Sequence, residues 1–440
     1  MSEYAYIKIA NMAIFNFRNY LSSDIVSKIF NSNDLQIIEN YLEDPEDEDA
    51  ESITRYLYQT TVLKAKERLD AQGYTLSKLE NIFENDLIQA IDYSSFLGHL
   101  KIDFDAQPDK AKERIIRYSI TFRQWMNSMK KIIQYELLNG NIWQENNEVR
   151  KRINVNTECD KIIYYSLVDL DSESYYAINT NLIDKAYIIR MILELCENDE
   201  IIELDFTNLQ YWDGDCITKG ISATEEIEKT IVLVEGSSDK EILEFSIKYL
   251  YPHLADLFYF MDFDDNNGKR DGGTSYVIKN LKTFYFSKIK RNFIAIFDND
   301  AEGYASKCIL LNEMKQWPSN FKILLYPELP LLKKYPTIAP NGEIVLDNIN
   351  KKAASIELYL PDSIIKKEGS YLPIEWEARK KIKNKEKDEF VYQGVITDKE
   401  KIKQDFYEMK KNIEKQISPF VVDDWASMKV LLNSIVFAFR

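Results

Sequence analysis

Asn292 to Gly303 reads NFIAIFDNDAEG: five apolar residues, Phe293 to Phe297, run directly into Asp298, Asp300 and Glu302. A short apolar run of this kind, bounded by a turn, predicts a buried strand, and the three acids then fall at its carboxyl end. If the chain stays extended through Asn299, residues 298 and 300 project to one face. Two carboxylates side by side repel unless a cation neutralises them. An all-oxygen donor set suits Mg²⁺ or Mn²⁺, not zinc.

Working outward, the pattern from residue 229 alternates apolar runs with helical segments. KTIVLVEG, DLFYFMDF, RNFIAIFDN and NFKILLYP read as strands. SSDKEILEFSIKYL, GGTSYVIKNLKTFYF and AEGYASKCILLNEMKQW read as helices between and after them. Repeated βα units predict a mostly parallel, Rossmann-like sheet, whose ligands gather at the carboxyl ends of the strands. A second strand there also ends on an acid: IVLVEG delivers Glu235, 63 positions before Asp298. A haloacid dehalogenase-type phosphatase also ends a strand in D-x-D, but wants Thr or Val where this chain has Glu302.

With VLVEGSSD and IFDNDAEG in place, roughly residues 228–362 resemble the Toprim domain of topoisomerases, bacterial primases and OLD-family nucleases. The resemblance implies that Glu235 handles protons or helps hold metal. It implies that Asp298 and Asp300 are the metal-binding pair, with Glu302 at the third acidic position. OLD-type members carry a further acid downstream, which ASIELYLP offers as Glu357. The stretches EYAYIKIANMAIF, KERLDAQGYTLSKLENIF and IIELDFTNL resemble bacterial HEPN/Toprim-associated proteins. Neither His99 nor His253 follows an Arg at the spacing of a HEPN ribonuclease, so that activity is not expected.

Between the acidic motifs, VIKNLKTFYFSKIKR supplies Lys279, Lys282, Lys288, Lys290 and Arg291 as candidate phosphate contacts, with Tyr285 and Phe286 available to stack on bases. Lys279 is the cation expected nearest the reacting phosphate and is counted with Glu235, Asp298 and Asp300 as catalytic. The Gly272-Gly273-Thr274 turn is expected to bring backbone amides towards an anion.

Composition bounds the rest. At 440 residues, with 45% hydrophobic and 13% aromatic residues, the chain is globular and long enough for several domains. A net charge of −16 weighs against a broad nucleic-acid-coating surface but not against one local basic groove. The four cysteines form no C-x-x-C pair, which disfavours structural zinc and disulfides. No P-loop, signal peptide or membrane-length apolar run is present, and a cytoplasmic protein is expected.

The expected organisation is a smaller N-terminal α+β or mainly helical domain (1–155) and a connecting α/β segment (156–227). The Toprim domain (228–362) and a charged helical tail (363–440) follow. Within it, EYAYIKIANMAIFNF reads as an antiparallel pair. Residues 53–92 read as helices, and 109–145 as a long amphipathic helical region broken at Asn139-Gly140. The expected activity is Mg²⁺- or Mn²⁺-dependent hydrolysis of DNA or RNA in anti-phage defence, restrained by a regulatory protein or by homo-oligomerisation. A Toprim-fold binding subunit and a small-molecule phosphatase are the alternatives.

Overall fold

The computed structural model describes residues 3–10, 12–42, 52–84, 101–103, 105–117, 121–139, 184–212, 214–261, 273–313, 317–382 and 389–440. The chain is mixed α/β and divides into two compact units, Met1–Ile227 with Arg440, and Glu228–Phe439.

The first unit is built on an antiparallel sheet. The strands β1 (Tyr4–Ile9) and β2 (Met12–Arg18) form the expected hairpin. With β3 (Leu35–Tyr41), β4 (Ile53–Thr61) and β5 (Ile201–Asp205) they are ordered β2-β1-β5-β4-β3. The helical expectation for 53–61 is corrected here. ITRYLYQTT is rich in β-branched and aromatic residues, and pairing on both sides, with β3 and β5, overrides its helix-like spacing. The helix begins only at Val62, where the Thr61 hydroxyl accepts the Lys64 N–H at 3.4 Å.

Helices Val62–Ala71 and Lys185–Glu194 are joined by a buried ion pair, Arg190 Nε to Asp70 Oδ1 at 2.7 Å. The Tyr58 hydroxyl donates to the carbonyls of Gly220 and Ile221, both at 2.8 Å, and so ties helix Gly214–Ile221 to β4. The amphipathic region appears as two helices, Pro108–Arg117 and Phe122–Asn139. Residues 85–92 and 140–145, the part of the expected α/β segment from 156 to 183, and His99 lie outside the described residues.

In the second unit β6 (Thr230–Leu233), β7 (Phe258–Met261), β8 (Phe293–Phe297) and β10 (Phe321–Leu325) are all parallel, in the order β10-β8-β6-β7. All five residues of β8 are fully buried, which is why its sequence shows no polar alternation. The chain steps from β6 to β7 on one side and then crosses back to place β8 on the other. The carboxyl ends of β6 and β8 therefore border the point where strand order reverses, the usual ligand crevice of such sheets.

Past β8, the two-residue β9 (Asn299–Asp300) pairs antiparallel with β13 (Ala353–Ala354). A second sheet is ordered β12-β11-β16-β17, from Ile344–Asp347, Tyr335–Ile338, Ile374–Ile382 and Glu389–Ile396. The stretch read as a charged helical tail thus contributes a β-hairpin to this unit before helices Lys399–Glu414 and Ala426–Val436. These helices dock on helix Ser237–Leu250, where Phe245 meets Phe406 at 5.8 Å and Trp425 at 5.7 Å.

Candidate active site

Glu235 leaves the end of β6, where its carbonyl accepts the Gly273 N–H at 2.8 Å. Its side chain crosses to the neighbouring strand, and Oε1 accepts the backbone N–H of Asp298 at 3.0 Å. The two acids expected from sequence to share one edge are therefore joined directly. Asp298 Oδ1 is buried and has no hydrogen-bond partner. A carboxylate oxygen in that position is costly unless something accepts its lone pairs.

Two further acids close on the same point. Asp239 lies in the first turn of helix Ser237–Leu250 and is only 7% exposed. Glu357, 1% exposed, sits on the turn Ile356–Tyr359. Its Oε2 accepts the Ser355 hydroxyl at 2.6 Å, and its Oε1 lies 3.3 Å from Lys399 Nζ.

Burial lifts the Asp298 carboxyl well above its usual range, and Glu235, Asp239, Asp300 and Glu357 add repulsion. Burial likewise pushes Glu235 up to about 8, reinforced by Asp300 and opposed by the Asp298 N–H. Asp239 rises to about 7, from burial and then Glu357, with Lys399 and Lys403 pulling the other way. Burial alone would lower Lys399; Glu357, Asp298 and Asp239 outweigh it, and its pKa rises.

The D-x-D pair is less symmetric than its spacing implies. Asp300 Oδ1 accepts the Gly303 N–H at 2.7 Å and so caps helix Ala301–Glu313. Its Oδ2 accepts Gln393 Nε2 at 2.7 Å, and Gln393 Oε1 in turn accepts the Glu302 N–H at 3.2 Å. Glu302 Oε1 accepts the Thr274 hydroxyl at 3.3 Å. Between the two acids, Asn299 fastens the segment leading to Glu357: Nδ2 donates to Asn350 Oδ1 at 3.0 Å, and Oδ1 accepts the Lys351 N–H at 2.8 Å. Asp298 faces the acidic cluster with an unused oxygen, whereas both oxygens of Asp300 are engaged in holding the turn.

Among the described residues, no three Asp, Glu, His or Cys side chains stand close enough to hold a metal ion as placed. The groups able to offer oxygen to a cation are Asp298, Glu235, Asp239 and Glu357. All are carboxylates, and the orphaned Asp298 Oδ1 is an acceptor that a hard cation would satisfy.

The expected cations divide. Lys279 is exposed and makes no ion pair with these acids. Lys282 pairs with Glu313, and Arg291 Nε lies 3.4 Å from Glu228 Oε1. Lys288, Lys290 and Arg291 precede β8, whereas Asp298 follows it, so the parallel sheet separates them. The Gly273 N–H is spent on Glu235, not offered to an anion, and Gly272 lies outside the described residues.

Sequence reasoning passed over Asp239, although it stands in VEGSSD one helical turn after Glu235. Gln393, Lys399 and Lys403 carry no local signal. They reach the site only because the hairpin and the following helix fold back onto it.

A pH dependence follows from Glu235, Asp239 and Asp298. Their folded pKa values lie above the unfolded carboxylate range of about 4, so the folded protein binds more protons. The stability they contribute is complete below that range and is lost as pH rises through about 7 and 8. In EDTA, the thermal midpoint of wild type is expected to fall more steeply than that of Asp298→Asn between about pH 5 and about pH 8.5. Parallel pH curves for the two proteins would contradict this.

A family model described as HEPN/Toprim N-terminal domain 1 matches residues 1–224, the stretch that builds the antiparallel unit. No curated protein matches the chain, and no solved structure does.

Proposed function

The chain belongs to the HEPN/Toprim N-terminal domain family, and from that premise we propose that it is a metal-dependent nuclease acting through a Toprim domain in its second unit. The observation that carries the reading is the convergence of Glu235, Asp239 and Glu357 on Asp298 at the strand-order reversal, with Oδ1 of Asp298 buried and unpartnered.

The site takes Mg²⁺ or Mn²⁺, which when bound supplies Lewis-acid polarisation of the scissile phosphate. Asp298 would hold the cation through Oδ1, with Asp239 and Glu357 beside it. Glu235, held against the Asp298 backbone N–H, exchanges a proton with the attacking water or the leaving oxygen. Lys399 offsets the charge of the set where Lys279 was expected to act. Asp300 and Glu302 position the turn through Gly303, Gln393 and Thr274. The substrate is DNA or RNA, and the biological setting is defence against phage, with activity restrained by a protein partner or by self-association. Among the described residues, no helix is long and apolar enough to cross a membrane.

The test is incubation of the full chain with plasmid, single-stranded DNA and total RNA in Mg²⁺, in Mn²⁺ and in EDTA. Cleavage in either metal that EDTA abolishes is expected; cleavage that persists in EDTA would overturn the proposal. The second reading, a Toprim-fold binding subunit of a defence complex, is favoured by the engagement of both Asp300 oxygens. Nucleic-acid binding without cleavage in any divalent metal would select it.

A further inference from the structure

At the edge of the parallel sheet opposite the acids lies a cavity of about 690 Å³, within the size range of small-ligand pockets. Its walls come from the end of helix Thr274–Phe286, the loop after it, and the segment before β10. The rings of Tyr285, Phe286 and Phe321 form the apolar part, while Lys288 and Lys290 stand at the rim. No carboxylate lines it, although the chain carries a net charge of −16.

The cavity is built in advance. Tyr285 is wedged edge-on against Trp317 at 5.4 Å and against Phe321 at 6.0 Å. Asn320 Nδ2 donates to the carbonyls of Arg291 at 2.8 Å and Ile289 at 3.3 Å, which pins the lysine-bearing loop. Phe286, by contrast, is 72% exposed, a large apolar ring left facing solvent beside two cations. An exposed aromatic ring next to ammonium groups matches the two parts of a nucleotide, a stacking face and a phosphate.

We propose that this cavity is a subsite for single-stranded nucleic acid, where a base stacks on the exposed ring of Phe286, edge-on to Tyr285, and the flanking phosphates meet Lys288 and Lys290. It rests on the nuclease reading only for its purpose: it grips substrate away from the acids, since β8 alone spans about 13 Å between the two edges. Lys288 and Lys290 thus keep the phosphate-contacting role expected for them from sequence, at a distance from the acids.

The test is fluorescence anisotropy of a labelled single-stranded oligonucleotide of about 12 nucleotides with the full chain in EDTA, so that binding is read without cleavage. Phe286→Ala is expected to weaken binding about ten-fold, within the range for loss of one stacking partner. Lys288→Gln/Lys290→Gln is expected to weaken it and to reduce the log–log salt slope by about 1.4. Both variants alter exposed side chains, and unchanged thermal midpoints would establish that they fold. Wild-type affinity in both variants would overturn the proposal. So would a loss confined to the lysine variant, because any polyanion would respond in that way. Binding that needs Phe286 without cleavage in any metal would sink the nuclease reading and leave the subsite standing.

Discussion

Replacing Asp298 with asparagine is expected to lower metal-dependent cleavage about a thousand-fold, the equivalent of about 4 kcal/mol of transition-state stabilisation. The substitution conserves volume and leaves the backbone N–H that Glu235 accepts. It removes the one carboxylate whose neighbours are Glu235, Asp239, Asp300 and Glu357 together. The same change should raise the thermal midpoint in EDTA at neutral pH, because the wild-type protein must take up a proton to bury this carboxyl among repelling acids, whereas asparagine is neutral throughout. Activity and metal-free stability therefore move in opposite directions, which ordinary damage to the fold would not produce. Initial rates at saturating Mn²⁺ and a thermal melt in EDTA give the two readings. Cleavage within ten-fold of wild type would place the cation elsewhere.

Gly303→Ala is expected to destabilise the second unit by about 3 kcal/mol, or about 6–12 °C in thermal midpoint. A Cβ at Gly303 would lie 2.2 Å from the Asp298 carbonyl oxygen and 3.1 Å from Phe297 Cβ. Backbone cannot yield as the tip of a side chain can, so helix Ala301–Glu313 or the end of β8 must shift. Either shift moves Asp298, and cleavage should fall with stability. Gly342→Ala is the control: nothing lies within 4 Å of a Cβ there, and only the strain of its positive φ is paid. Equal midpoints for the two variants would contradict the close approach at Gly303.

The parallel sheet was legible because buried strands and amphipathic helices write their periods into consecutive residues. Glu235 and Asp298 were legible for the same reason, each standing where an apolar run stops. What stayed hidden depended on long-range closure. Ile53–Thr61 has the content of a strand, but its apolar spacing also fits a helix, and only its two neighbouring strands decide between them. The spacing of Asp298 and Asp300 fixed a common face but could not report that Gln393, 93 positions away, takes up Asp300 Oδ2. Lys399 lies in a stretch so rich in charge that no single residue stands out, and Gln393 is a lone amide in the largely apolar strand Glu389–Ile396.

The order β2-β1-β5-β4-β3 has a consequence for how the protein is made. The strand beside β1 and β4 is supplied by Ile201–Asp205, so a ribosome must deliver more than two hundred residues before the sheet has its middle. Until then the nascent chain carries two open hydrogen-bonding edges, those of β1 and β4, which are templates for wrong pairing. The family match, which ends at residue 224, takes in every strand of this sheet together with the helix that Tyr58 ties down.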